Sequence, residues 1–269
     1  MPTGKERLKR PEFPRSGGYD PDWVLDNQMG PNVLWLTEWL CEAMDLRPGM
    51  RVLDLGCGRA LSSVFLAKEF GVKVWAADLW IGPDANWDRV LEAGVADLVC
   101  PLRAEAHALP FAKGFFDAVV SVDAYTYFGT DDLYLGYLAR FVRAGGEIGV
   151  VVPGLAQPID GEIPAHLLAP QSNGKVFWED ECRCFHTPAW WRSHWERCPQ
   201  VEGVESDWLK DGWRHWLEFE RALAETGKSE FPSDAEALEK DGGRWIGFVR
   251  ATARRTDREV FNLYDPSVG

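Results

Sequence analysis

Between residues 51 and 152, five short apolar runs alternate with stretches that read as helices, and this alternation leaves few folds open. The runs lie at 51–55, 73–78, 97–102, 117–122 and 147–152. The intervening stretches are 61–70, closed by Gly71, then 83–93, closed by Gly94, and a third running to about Phe141. Thr130-Asp131-Asp132 is expected to cap that third helix, with acids in the first turn where the helix dipole favours them. The loop Arg143-Ala144-Gly145-Gly146 leads into the fifth strand, which Pro153 is expected to stop. Strands joined by helical crossovers form a parallel sheet with helices on both faces, and such crossovers are almost always right-handed.

The flanks extend this core. Residues 1–18 are rich in Pro, Gly and charge, and read as a mobile arm. Its cluster Lys5-Glu6-Arg7-Leu8-Lys9-Arg10 reads as a solvated tail. Tyr19, Trp23, Met29, Gly30 and Pro31 mark an ordered lead-in. Residues 32–46 place Val33, Leu34, Leu36, Trp39, Leu40 and Met44 on one helical face, with Asn32 as N-cap. Past Pro153 the pattern changes: 154–187 reads as loop or cap, 188–197 and 211–226 as helices, 201–209 and 245–253 as strands. The expected fold is therefore α/β, a doubly wound, mostly parallel seven-stranded sheet with a helical, Trp-rich cap. Three parts are expected: an arm and lead-in at 1–31, a core at 32–153, and a cap that completes the sheet at 154–269.

Charge narrows the partners. The chain carries 29 basic and 42 acidic residues, a formal net charge of −13. Such a surface repels phosphates, so nucleic acid is not an expected partner. No apolar stretch approaches the roughly 18 residues a bilayer span needs, and no apolar segment follows the N-terminal charges as in a secretory signal. The six cysteines follow no disulfide framework. The expectation is a cytoplasmic protein with reduced thiols, monomeric or homodimeric, with no membrane contact.

The first strand and turn, Val52-Leu53-Asp54-Leu55-Gly56-Cys57-Gly58, carry the most chemistry. In an open α/β sheet ligands bind beyond the carboxyl ends of the strands, where strand order reverses. Gly56 and Gly58 let the backbone approach a ligand closely. A dinucleotide pyrophosphate wants a helix N-terminus free of carboxylates, whereas Asp54 just before the turn suits a ligand bearing positive charge. Leu61 also stands where the third glycine of a dinucleotide fingerprint belongs, so NAD falls behind.

Asp54-Leu55-Gly56-Cys57-Gly58 resembles the first motif of the class I (Rossmann-like) S-adenosylmethionine-dependent methyltransferases, in particular the methyltransferase type 11-like, small-molecule branch. The likeness continues in order through Asp78, through Glu105-Ala106-x-x-Leu109-Pro110-Phe111, through residues 115–121, and through Gly145-Gly146. It spans about residues 33–153. Ala60 and Glu105 depart from the family's commoner Gly and Asp. The resemblance implies S-adenosyl-L-methionine as cofactor, with S-adenosyl-L-homocysteine as product. It implies that Gly56, Cys57 and Gly58 pass the methionyl part and that Asp54 meets its ammonium. Asp78 would hold the ribose, with Leu79 or Trp80 flanking the adenine. Glu105 and the Ala106 N–H would meet the adenine edge, Ser121 would lie near the sulfonium, and Met29 and Gly30 would close over the site. Simple strand capping is the competing role for Asp78 and Glu105.

The resemblance further implies transfer of a methyl group to N or O of a small molecule. The alternatives are C-methylation of a lipophilic acceptor and non-catalytic binding of the cofactor. A base is expected after the fourth strand, at Asp123 or Tyr127, with His186 in the cap as another candidate; capping and packing are their competing roles. The many Trp of the second half read mostly as core, with one or two free to cage a cationic or aromatic substrate. Cys182-x-Cys184-x-His186 does not match a standard zinc template, so no metal is expected.

Overall fold

The structure, a computed structural model, describes residues 3–258. Its elements run α1 (Pro21–Asp26), α2 (Val33–Cys41), β1 (Arg51–Leu55), α3 (Leu61–Phe70), β2 (Lys73–Asp78), α4 (Pro83–Glu92), β3 (Val99–Arg103), β4 (Phe116–Val122), α5 (Tyr134–Ala139) and β5 (Val142–Leu155). There follow α6 (Ala165–Leu168), α7 (Pro188–Glu196), β6 (Val201–Trp208), α8 (Gly212–Thr226), α9 (Ala235–Asp241) and β7 (Ile246–Arg255). The seven strands form one sheet in the order β3-β2-β1-β4-β5-β7-β6, with β7 antiparallel to both its neighbours. The expected fold class holds.

Adjacent residues of β1 show why the sheet is buried on both faces. Val52 packs into one apolar layer and Leu53 into the other, each without solvent contact. Strand period two thus splits the core between α2, α3 and α8 on one side and α5 and α7 on the other. Strand order reverses between β1 and β4, so the carboxyl ends of these two strands diverge and leave a crevice.

Five expectations are corrected. The N-terminal arm is not mobile: Phe13 is buried, stacks on Trp35 with centroids 5.8 Å apart and meets the His215 ring edge-on. Nor is its basic cluster a free tail, since Arg7 pairs with Glu218 and Glu225 of α8 at 2.6 and 2.8 Å. α5 begins at Tyr134, and no side chain caps its start. The Asp131 carboxylate accepts instead from the Leu133 N–H. β5 runs through Pro153 to Leu155. The Val151 carbonyl accepts from Asp123 N–H and the Leu155 N–H donates to His186 O, so Pro153 faces the same way, past the end of β4, where no ladder bond is lost. Finally, the Trp-rich α7 is not cap. Trp191 and Trp195 are fully buried on the sheet face among Val204, Val249 and Ala251. The cap over the crevice is smaller, made by segments around 175–185 and 228–234.

Candidate active site

The turn after β1 is built by backbone geometry that glycine permits. Gly56 and Gly58 have φ of 74° and 52°. The Gly56 and Cys57 N–H groups donate to Ala77 O of β2 at 2.8 and 3.1 Å, folding the turn onto the neighbouring strand. A Cβ at Gly56 would lie 2.4 Å from the Ala124 Cβ, and one at Gly58 3.0 Å from Met29 Sδ. Ala60, at the family's usual third glycine, is also left-handed with φ 61°, a costlier conformation for a residue with a Cβ.

Asp78 ends β2 and is almost fully buried. One carboxylate oxygen accepts from Trp80 and Ile81 N–H at 2.8 and 2.9 Å, and the other from Gly58 N–H at 2.8 Å. It therefore ties the turn after β1 to the turn after β2, and it lines a cavity. That cavity, of about 290 Å³, opens at the crevice between β1 and β4. Gly56, Cys57, Gly58 and Asp78 line it, with Leu79, Trp80, Glu105 and Ala106. Met29, Gly30, Asp123 and Tyr127 line it too. Glu105 is not free: its oxygens meet His107 N–H and His107 Nδ1, both at 2.8 Å.

Three sequence-derived candidates lie elsewhere. Asp54 is fully buried beneath the turn, where one oxygen accepts from the hydroxyls of Ser62 and Ser63, both at 2.6 Å. Burial pushes its pKa up to about 6 against the pull of those two hydroxyls. It does not line the cavity. Ser121 donates its hydroxyl to Leu55 O at 2.7 Å, stapling β4 to β1, and is also fully buried. His186 is stacked on Trp190 with ring centroids 3.5 Å apart, and burial lowers its pKa to about 4. It faces neither this cavity nor the one beside it, so it is no base for this site.

Asp123 is the most unusual side chain at the crevice. It follows β4 directly, has φ 59°, and its carboxylate makes no hydrogen bond among the described residues. Burial alone raises its pKa to about 7. One of its oxygens would lie 2.8 Å from a Cβ at Gly30, so glycine there makes room for it. Asp123 lines both the first cavity and a second, of about 620 Å³, which extends under the cap. Met29, Gly30, Trp80 and Tyr127 share that position between the two. The residues that the sequence did not single out come mainly from the cap: Glu181, Phe185, Glu230 and Phe231 have no periodic pattern to mark them. Arg59 was also missed. Its guanidinium joins the glycine turn to the cap through Glu230, with two contacts of 2.7 Å.

A parallel sheet with one antiparallel strand near its edge, and a glycine turn tied to the acid ending β2, define the class I methyltransferase fold. Residues 52–146 match the family model described as a methyltransferase domain. It is 30% identical over 134 residues to Methyltransferase GfsG of Streptomyces halstedii, a match covering 49% of this chain and 48% of that protein. The chain spans about half the length of the curated relatives it matches. Among solved structures, phosphoethanolamine N-methyltransferase 2 of Haemonchus contortus superposes with a TM-score of 0.67 at 16% identity, over 96% of this chain and 61% of that one. Geranyl diphosphate C-methyltransferase of Streptomyces coelicolor A3(2) gives 0.60 at 18% identity, over 82% of this chain and 78% of that one. Likenesses this distant establish the shared fold.

Proposed function

We propose that the protein is an S-adenosylmethionine-dependent methyltransferase acting on N or O of a small molecule. The observation that carries this reading is the junction of two cavities at one unpartnered carboxylate, Asp123. The smaller cavity fits the cofactor: it is lined by a glycine turn in which a Cβ at residue 56 would collide with Ala124, and by Asp78. There the turn at 56–58 would pass the methionyl part, Asp78 would hold the ribose hydroxyls, and Leu79 and Ala106 would flank the adenine. The cofactor supplies an activated methyl group. The protein's part is alignment of the acceptor and removal of its proton, for which Asp123 is placed. The larger cavity beneath the cap would take the acceptor.

Calorimetric titration with S-adenosylmethionine and S-adenosylhomocysteine tests the cofactor. Binding in the micromolar range, lost in Asp78→Ala and partly kept in Asp78→Asn, is the expected result. Circular dichroism controls for folding, because Asp78 also holds three backbone N–H groups. No binding of either ligand to the unsubstituted protein would remove the reading.

A second reading, C-methylation of a lipophilic acceptor, is favoured by the exposed aromatics Trp80, Tyr127 and Phe231 at the cavity. The neighbour of known carbon specificity shares the fold. Mass spectrometry of the methylated product, with the position of the new methyl group found by NMR, separates the two.

A further inference from the structure

We propose that the acceptor is an organic cation, an amine protonated at neutral pH and carried on an apolar or aromatic body. This rests on the methyltransferase reading above and names the substrate class of its second cavity.

The larger cavity is lined by six carboxylates, Asp123, Glu179, Glu181, Glu220, Glu230 and Asp234, and by one cation, Lys175. Three of the six are answered locally. Glu230 pairs with Arg59 at 2.7 Å, Asp234 with Lys175 at 3.3 Å, and Glu220 accepts from the Ser233 hydroxyl at 2.7 Å. Glu179, Glu181 and Asp123 have no ion-pair partner among the described residues. The lining therefore carries more acidic than basic side chains, with Glu179 and Glu181 at its exposed rim. Asp123 is partly exposed at the cavities and hydrogen-bonds no other described residue, so its carboxylate is open to a cationic or protic group.

The walls have the matching second feature. Trp80 and Tyr127 face each other with centroids 6.0 Å apart, and Phe177 and Trp216 form another tilted pair at 5.9 Å. Trp80, Tyr127 and Phe231 are 69%, 64% and 54% exposed, far more than the large aromatic rings of the core. Aromatic faces with carboxylates among them recognise ammonium groups. The same lining repels uncomplexed phosphate, diphosphate and carboxylate groups.

The chemistry then balances without another reactant. The ammonium gives a proton to the Asp123 carboxylate, which frees the nitrogen lone pair. That pair forms the N–C bond to the methyl group as the C–S bond breaks, with its electrons passing to sulfur. The product is an N-methylammonium and a neutral thioether, and Asp123 returns the proton to solvent.

The test is calorimetric, with protein saturated by S-adenosylhomocysteine. Four probes share one body: phenethylamine, 2-phenylethanol, phenylacetate and phenethyl phosphate. The expected result is that the amine binds at least about tenfold more tightly than the other three. Glu181→Gln and Asp123→Asn each weaken the amine several-fold while leaving the alcohol unchanged. Glu202→Gln, on the exposed face of β6, leaves all four unchanged. Equal affinities, tighter binding of the alcohol or either anion, or no binding by any probe would overturn the proposal. If S-adenosylhomocysteine itself fails to bind, the methyltransferase reading falls. The series on the unliganded protein then decides the cation preference separately.

Discussion

In the proposed reading a single carboxylate concentrates the chemistry. Asp123 combines a left-handed backbone, a raised pKa of about 7 and a position between two cavities. Its folded state holds a proton more tightly than an unfolded chain, where an aspartate titrates near 3.8. Between those values the native protein binds more protons, so stability falls as pH rises through this window and is lowest above it. Under the proposed base role, turnover is expected to follow the opposite sense, rising through about pH 7 as the carboxylate ionises and becomes able to accept a proton. Asparagine has nearly the same shape and tolerates a left-handed backbone better than most residues. Asp123→Asn is therefore expected to lower kcat/KM by about 10²-fold or more and to abolish the rising limb of the pH profile. The same variant should gain about 1–3 kcal/mol of stability at pH 8, read as a higher urea midpoint. Full turnover from pH 6 to 9 in this variant would set the base role aside. The place of Asp123 at the crevice was legible in the sequence because it directly follows a strand that ends there. His186 was misread because its neighbours in the chain do not reveal that Trp190, one helical turn on, covers its ring.

At the scale of elements, β1 and α3 act as one unit. Asp54 lies between Leu53 and Leu55, so it points to the face where α3 lies, and α3 presents Ser62 and Ser63 to it. The sequence shows an acid before the glycine turn, but strand parity decides where its side chain goes, and here parity sends it under the turn. Removing either hydroxyl leaves a buried carboxylate less satisfied, which costs about 1–3 kcal/mol. Ser62→Ala and Ser63→Ala are each expected to lose that much by urea denaturation while changing the Kd for S-adenosylhomocysteine less than about threefold. A large loss of affinity with unchanged stability would instead return Asp54 to the ligand. The N-terminal arm makes a similar case. Its charge and glycine content suggest mobility, and composition conceals that Phe13 reaches Trp35 and His215. Phe13→Ala should cost about 3 kcal/mol or more, as for other buried aromatic rings, whereas a mobile arm would make the change silent.

Over the whole molecule, the order of the sheet was open to reading because helix-linked parallel strands and right-handed crossovers admit so few arrangements. The acceptor cavity was not, because residues 28–31, 175–185 and 229–234 meet there only after folding, and none of the three carries a periodic pattern. What the sequence does carry is the sign of the field. The net charge of −13 is a property of the full chain, and the cavity under the cap has the same sign. A cationic acceptor would therefore be drawn toward the protein from a distance and held at the end of its path by charges of one sign. Salt separates these two contributions. The screening length shrinks from about 30 Å at 0.01 M to about 3 Å at 1 M, which removes attraction through solvent but leaves contacts inside the cavity largely intact. For a cationic acceptor, kcat/KM is expected to fall several-fold between these limits, mainly through KM, while kcat stays nearly constant. An uncharged acceptor of the same shape should show little change in either. If the cation and its neutral analogue respond alike, the field does not select the substrate, and recognition rests on the aromatic walls alone.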